Sequence, residues 1–292
     1  MTAILEATGL TKSFPSFTLK DVSFDVQPGC ITGFIGRNGA GKTTTLKLIL
    51  ALSRADRGEV RLFGKDMRTS EVECKREVGA VFGGFEYYPD KKLEAIKRVY
   101  SPFYPKWNDE TYRAYLRRFE IDEKKRVKEL SAGMKVKFAL TLALSHDARL
   151  LMLDEPTSGL DPVSREELMD IFREYVSGGE RSILFSTHIT SDLDKCADHI
   201  VYIKGGEIAM TGDREEIIGA YRLVQGGLDA LSPRLEAALV GKKTTPFGFT
   251  GLIRESDLAV ADGLSTAKAD IESIMVYTEK YESHNDEGGL KA

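Results

Sequence analysis

The hydrophobic pattern changes period several times along the chain, and those changes mark out its elements. Ile31-Thr32-Gly33-Phe34-Ile35 is a short apolar run followed by glycine, and Thr43 to Leu52 after it has helical spacing. Leu150-Leu151-Met152-Leu153 and Ile183-Leu184-Phe185 are equally short and apolar at successive positions, as strands buried on both faces are. Val201-Tyr202-Ile203 and Ile208-Ala209-Met210, separated around Gly205-Gly206, predict a β-hairpin. Strand-like and helix-like runs alternate, which gives an α/β class with a mainly parallel sheet.

Two regions depart from that alternation. From about Glu86 to His146, Lys, Arg, Glu and Tyr dominate, and Tyr112, Tyr115, Leu116 and Phe119 fall at helical spacing. This predicts a helical insert spanning about 86–148. Beyond about Gly219 the chain has its own punctuation (Gly226-Gly227, Pro233, Pro246, Gly248, Gly251), and it ends in a polar segment, Ser283 to Ala292, expected to fray. The expected division is a main domain, 1–218, and a small accessory domain, 219–292.

Composition narrows the function classes. A length of 292 residues suits one large domain with an appendage. A net charge of −4, from 41 basic and 45 acidic residues, gives no reason to expect a nucleic-acid partner. Cys30, Cys74 and Cys196 are odd in number and far apart, so they form neither a zinc pattern nor a disulfide framework. A reducing compartment and a role as buried small hydrophobes account for them. No stretch approaches the roughly 18 apolar residues of a membrane span. Met1 to Gly9 has no basic region of the signal-peptide kind. If the protein serves a membrane, another polypeptide supplies the spans.

The chemistry is concentrated in a few short runs. Gly36-Arg37-Asn38-Gly39-Ala40-Gly41-Lys42-Thr43 fits the phosphate-loop pattern between a predicted strand and a predicted helix. Its glycines let successive N–H groups turn inward around phosphate oxygens, and the following helix adds its positive end. Lys42 would reach the β- and γ-phosphates, and the Thr43 hydroxyl would bind Mg²⁺. The apolar run 150–153 ends in Asp154-Glu155, which sets two carboxylates at the carboxyl edge of the sheet, where such folds bind ligands. Asp154 would hold Mg²⁺ and Glu155 would polarise the attacking water. Leu130-Ser131-Ala132-Gly133-Met134-Lys135 precedes a helical run, Val136 to Ser145, with Ser131 a natural N-cap.

Taken together these runs resemble the nucleotide-binding domain of ABC transporters over residues 1 to 218. The resemblance implies a P-loop NTPase (RecA-like) core with a mixed β-sheet, an antiparallel β subdomain, a helical insert and a small C-terminal domain. It implies that ATP and Mg²⁺ are bound, with nucleotide contacts from Gly36, Asn38, Gly39, Ala40, Gly41, Lys42, Thr43 and Thr44. Ser131 and Gly133 match the signature that closes over the γ-phosphate on the other subunit, although Ala132 and Met134 replace the usual glycine and glutamine. Ser158-Gly159-Leu160-Asp161 resembles the D-loop, and His188 in Ser186-Thr187-His188 matches the switch histidine. Phe14 occupies the place of the adenine-stacking ring, with Phe17 a nearby competitor. One departure concerns the Q-loop: where its glutamine should follow Val81-Phe82, the sequence reads Gly83-Gly84-Phe85, leaving Glu86 or a water as a substitute.

The resemblance further implies ATP hydrolysis by Glu155, His188 and Lys42, coupled to transport. It implies a transmembrane permease as partner, docking between Phe82 and Trp107 through residues such as Tyr87 and Tyr88. A second ATP-binding subunit, identical or related, completes the assembly, which lies on the cytoplasmic face of the membrane through the permease. Tyr104-Pro105-Lys106-Trp107 and the short insert are similar to ATPases of bacterial ABC-2-type exporters for antibiotics or amphipathic peptides. A soluble or regulatory ABC ATPase not coupled to transport is the alternative.

Overall fold

The computed structural model describes residues 2–83 and 88–286, with backbone only for 280–286. It divides into two compact units, one formed by residues 1–192 and 196–211, the other by 193–195 and 212–292.

In the larger unit the chain opens with strands β1 (Leu5–Phe14), β2 (Phe17–Val26) and β3 (Ile31–Ile35), followed by helix α1 (Lys42–Ile49). Strands β4 (Arg57–Leu62) and β5 (Lys65–Asp66), helix α2 (Met67–Arg76) and strand β6 (Val78–Phe82) come next. Helices α3 (Leu93–Tyr100), α4 (Asp109–Arg118) and α5 (Ala132–Leu144) form the insert. The chain returns through β7 (Leu150–Asp154), α6 (Pro162–Val176), β8 (Ser182–Thr187), α7 (Thr190–Cys196), β9 (His199–Lys204) and β10 (Glu207–Asp213).

Two sheets result. A six-stranded sheet has the order β10-β9-β3-β8-β7-β6, in which β9, β3, β8, β7 and β6 run parallel. Every residue of β3, β7 and β8 is buried, because helices such as α1 and α6 pack on these strands and leave no face for a polar stripe. A four-stranded antiparallel sheet, β2-β1-β4-β5, carries the alternating pattern of a half-buried surface. One core, running from Leu5, Leu19 and Val26 through Leu46 and Ile49 to Leu150 and Met152, joins this sheet to the parallel one.

The predicted helix after the phosphate loop ends earlier than its apolar pattern suggests, at Ile49, and Leu52 is exposed. Helix α5 conversely begins a turn before the apolar run, at Ala132, because the Ser131 hydroxyl accepts from the Met134 N–H at 3.2 Å and starts the helix there. Cys74 and Cys196 are buried, but Cys30 is only half-buried. It precedes β3, and its carbonyl starts the pairing with β8 by accepting from Ile183 N–H at 3.0 Å.

The smaller unit contains α8 (Arg214–Gly219), β11 (Tyr221–Gly226), α9 (Pro233–Ala238), β12 (Leu239–Thr245), β13 (Gly248–Arg254), β14 (Ser265–Lys268) and α10 (Ile271–Asp286). Its sheet, β12-β13-β11-β14, is antiparallel and has its own small core of Val224, Leu235, Leu239, Phe249, Ile253 and Ala261. Helix α10 continues to Asp286, four residues into the segment expected to fray.

Candidate active site

The parallel sheet brings three chain segments to one edge. Asp154 is opposite Ser186 across β7 and β8, and Ser186 is opposite Phe34 across β8 and β3. The ends of these strands therefore meet the loop that leaves β3 at Gly36. That loop passes against β9 so tightly that a Cβ on Gly36 would lie 2.4 Å from the Ile203 carbonyl oxygen. Gly41 turns the chain into α1 with φ at +113°, a conformation that a side chain resists. Helix α1 has neither a side-chain cap nor an acidic residue in its first turn. Its leading N–H groups and dipole thus face the loop without an internal counter-charge, as an anion site requires.

Five side chains form two bonded groups at this edge. Lys42 is buried; its Nζ donates to the Gly36 carbonyl at 2.7 Å and lies 3.2 Å from Glu155 Oε1. Glu155 Oε2 is 2.7 Å from Nδ1 of His188, so the imidazole donates from that nitrogen to the carboxylate. The Thr43 hydroxyl donates to Asp154 Oδ2 at 2.7 Å. These oxygens are the hard donors that a Mg²⁺ ion accepts, beside a loop that would hold the phosphates. The residues fit the ion, which when bound would neutralise charge on the β- and γ-phosphate oxygens.

The surrounding cleft has a volume of about 650 Å³ and is lined also by Phe14, Asn38, Gly39, Gly41, Thr44 and Ser158. Phe14 ends β1 with 42% of its surface exposed, while Phe17 is partly buried against the main core next to Gly41. The two rings are 6.4 Å apart at 29°. Both rings line the cleft, and Phe14 is the more exposed of the two.

Ser131, Gly133 and Asp161 lie elsewhere. They line a second depression of about 530 Å³ with Met134, Lys137 and Gly159. Asp161 caps α6, accepting from the N–H groups of Val163 and Ser164 at 3.0 Å each, and these bonds, Ser164's foremost, hold its carboxyl below the usual range. Ala40 is buried inside the phosphate loop, where its N–H donates to the Arg37 carbonyl at 3.1 Å. Gly83 follows β6 with φ at +64° and nothing within 4 Å of where a Cβ would be. Gly84, Phe85, Glu86 and Tyr87, invoked above for the Q-loop and docking, lie outside the described residues.

Ser186 is a residue that sequence reasoning passed over. Its hydroxyl donates to Asp154 Oδ1 at 2.6 Å and accepts from the Glu155 N–H at 3.0 Å. The only trace in the sequence is a pair of hydroxyl residues, Ser186-Thr187, closing a strand that is otherwise apolar after Ser182.

A glycine-rich loop between strand and helix, a buried lysine, and threonine, aspartate and glutamate at the neighbouring strand end define a P-loop nucleoside-triphosphatase. The comparisons with known proteins are specific within that class. The ABC transporter family matches residues 19–158. The bacitracin transport ATP-binding protein BcrA of Bacillus licheniformis is 31% identical over 71% of this chain and 69% of its own. NatA, an ABC transporter ATP-binding protein of Bacillus subtilis, is 32% identical over 70% of this chain and 85% of its own. A solved ATP-binding subunit of an ABC transporter superposes with a TM-score of 0.67, at 28% identity, over 73% of this chain and 91% of that one. A dimeric ATP-binding cassette solved with ADP and phosphate shares the fold, with a TM-score of 0.64 at 21% identity over 72% and 98% of the two chains. This chain belongs to the ABC transporter ATP-binding family. It is an ATP-binding, ATP-hydrolysing subunit of an ABC transporter, and the reading as an ATPase unconnected with transport is not favoured. No helix among the described residues is long and apolar enough to cross a membrane.

Proposed function

We propose that the protein energises an exporter of antibiotics or amphipathic peptides, binding Mg-ATP at the edge of its parallel sheet and hydrolysing it between two cassettes. The reading is carried by the convergence of Lys42, Glu155 and His188 on one point, with Thr43 and Asp154 beside it. Phe14 stacks on the adenine, the amides of Gly36 to Thr44 hold the phosphates, and Lys42 binds the terminal pair. Glu155 holds the attacking water and takes its proton, worth on the order of 10²–10⁴ in rate. His188, fixed by Glu155, contacts the γ-phosphate. Ser131, Gly133 and Asp161 serve the nucleotide of the facing subunit, which fits their separation from Lys42 in a single chain. ATP binds the closed pair better than the open one, and that difference is what moves the permease.

The permease would dock on the helical insert, where an apolar groove of about 600 Å³ is lined by Tyr88, Ile96, Val99, Tyr100 and Phe103. Tyr88, Val99 and Phe103 are each about two-thirds exposed, more than isolated surface residues need explain. The assembly then sits at the inner face of the membrane, and the unit beyond residue 212 is accessory to it. The transport role is carried over from relatives such as the bacitracin transport subunit, and its outward direction from the resemblance to exporter ATPases.

The test is the light-scattering mass of Glu155→Gln protein with and without Mg-ATP. An ATP-dependent doubling is expected, together with loss of hydrolysis. A Glu155→Gln protein that hydrolyses ATP at the parental rate would remove Glu155 from its role.

A further inference from the structure

We infer that Ser186 is a positioning residue for hydrolysis, one hydroxyl that orients both carboxylates of the site. The inference rests on the roles proposed above for Asp154 and Glu155. Ser186 is fully buried at the carboxyl end of β8, directly opposite Asp154 in the register of β7 and β8. Its single proton goes to Asp154 Oδ1 at 2.6 Å, which leaves Asp154 Oδ2 to the Thr43 hydroxyl at 2.7 Å. Its oxygen receives the Glu155 N–H at 3.0 Å.

The second bond matters because Glu155 has φ at +52°, a left-handed conformation that a non-glycine residue adopts only when its surroundings impose it. The Glu155 N–H also reaches the Ser186 carbonyl at 3.1 Å. Both acceptors of that amide therefore come from one residue, and the turn that aims the Glu155 carboxylate is clamped to β8. Thr187, the next hydroxyl along, points its oxygen to the Ile189 N–H instead, at 2.9 Å. Among the described residues Ser186 is the side chain bonded to both positions.

Loss of this hydroxyl leaves Asp154 Oδ1 without a donor in a place that water does not reach, and it halves the clamp on Glu155. The phosphate cradle from Gly36 to Thr43 is not touched. Rate should therefore fall while nucleotide affinity holds. Outer-shell partners of this kind cost about 10- to 100-fold when removed.

Ser182 is the matched control. It is equally buried on the same strand, but its hydroxyl donates to the Gln27 carbonyl and accepts from the Gly29 N–H, both at 3.0 Å, at the far end of β8. The experiment compares steady-state turnover, fluorescent-ATP affinity and ATP-dependent dimer mass for Ser186→Ala, Ser186→Thr, Ser182→Ala and Glu155→Gln. The expected result is a kcat about 10- to 100-fold lower for Ser186→Ala. Affinity should stay within about threefold of the parent, since ground-state contacts are intact. An ATP-bound dimer should also persist longer. Threonine at 186 should restore the rate, and Ser182→Ala should turn over like the parent. Should Ser186→Ala fail to fold, Ser186→Cys keeps the volume and weakens the donor.

Parental kcat in Ser186→Ala, or an equal loss in Ser182→Ala, would overturn the inference. So would a fall in affinity as large as the fall in rate. If Glu155→Gln is inactive while Ser186→Ala is unimpaired, only the positioning role fails. If Glu155→Gln itself hydrolyses normally, the reading of the site fails and the inference with it.

Discussion

His146 sits between α5 and β7 with no exposed surface, and neither ring nitrogen meets a hydrogen-bond partner among the described residues. Its ring stacks on Tyr104 at 3.8 Å and 22°, and Tyr104 stacks in turn on Tyr100 at 4.7 Å. Burial disfavours the imidazolium and brings the pKa down from 6.5 to about 4, outweighing the opposing pull of the residue's own backbone and of the Asp147 charge. The unfolded chain therefore takes up a proton as pH falls through 6.5, and the folded chain refuses it until about 4. Stability from this group is complete above pH 6.5 and is lost progressively as pH falls toward 4. At about 1.4 kcal/mol for each pH unit of that interval, the loss amounts to about 3 kcal/mol. His146→Phe keeps the stack and removes the proton site. Urea unfolding can be followed by the fluorescence of Trp107, the single tryptophan, whose ring is 5.9 Å from Tyr100 and 5.5 Å from Tyr112. The variant should equal or exceed the parent at pH 7.5, because it removes two unsatisfied buried nitrogens. Its advantage should grow by about 3 kcal/mol toward pH 4. Carboxylates that titrate in the same range are common to both proteins and cancel in the difference. Parallel loss of stability in the two proteins would show that His146 is not the buried neutral group described here.

Phe14→Ala should weaken ATP binding by about 1–3 kcal/mol, the worth of one base stacked on one ring, with little change in thermal stability. Phe17→Ala should do the reverse, since Phe17 packs on the core beside Gly41; equal effects on binding and stability in both would reject the assignment. Gly83→Gln should leave nucleotide affinity intact and change turnover, basal or permease-stimulated, at a cost of about 1 kcal/mol in stability for a side chain at φ +64°. Turnover unchanged in both assays would mean that the missing glutamine has no consequence.

What the sequence made readable follows from burial geometry. Strands β3, β7 and β8 are apolar at successive positions because both faces are covered, so five or six residues suffice to announce them. The phosphate loop is readable because its backbone admits few residues. Strands β1 and β2 are harder, because bulges break the period of two. Between Leu10↔Val22 and Lys12↔Leu19 the register slips, and Asp21 takes φ +47°, so buried Leu19 and Val22 fall out of phase. Ser186 was illegible for a different reason: its partners lie 31 and 32 residues away, and only the β7–β8 register brings them together. His146 likewise carries no local signal, and although Tyr104 belongs to a run that the sequence singles out, nothing in that run announces the stack between the two rings.

The left-handed turn at Glu155 explains how two adjacent carboxylates can serve one site. In an extended strand successive side chains point to opposite faces, so a glutamate continuing β7 would be directed away from its aspartate neighbour. Yet Asp154 bonds to Thr43 while Glu155 reaches Lys42, the residue before it. The reversal at φ +52° keeps both carboxylates on the phosphate-loop side, one against the start of α1 and the other between Lys42 and His188. Such a conformation costs about 1–2 kcal/mol in a residue with a side chain. Glycine at this position would relieve the strain but remove the carboxylate, and the neighbouring turn at Gly83 shows the same left-handed backbone reached without that cost. The strain at Glu155 is thus retained for where it directs the side chain, and β8 supplies both acceptors that hold it there.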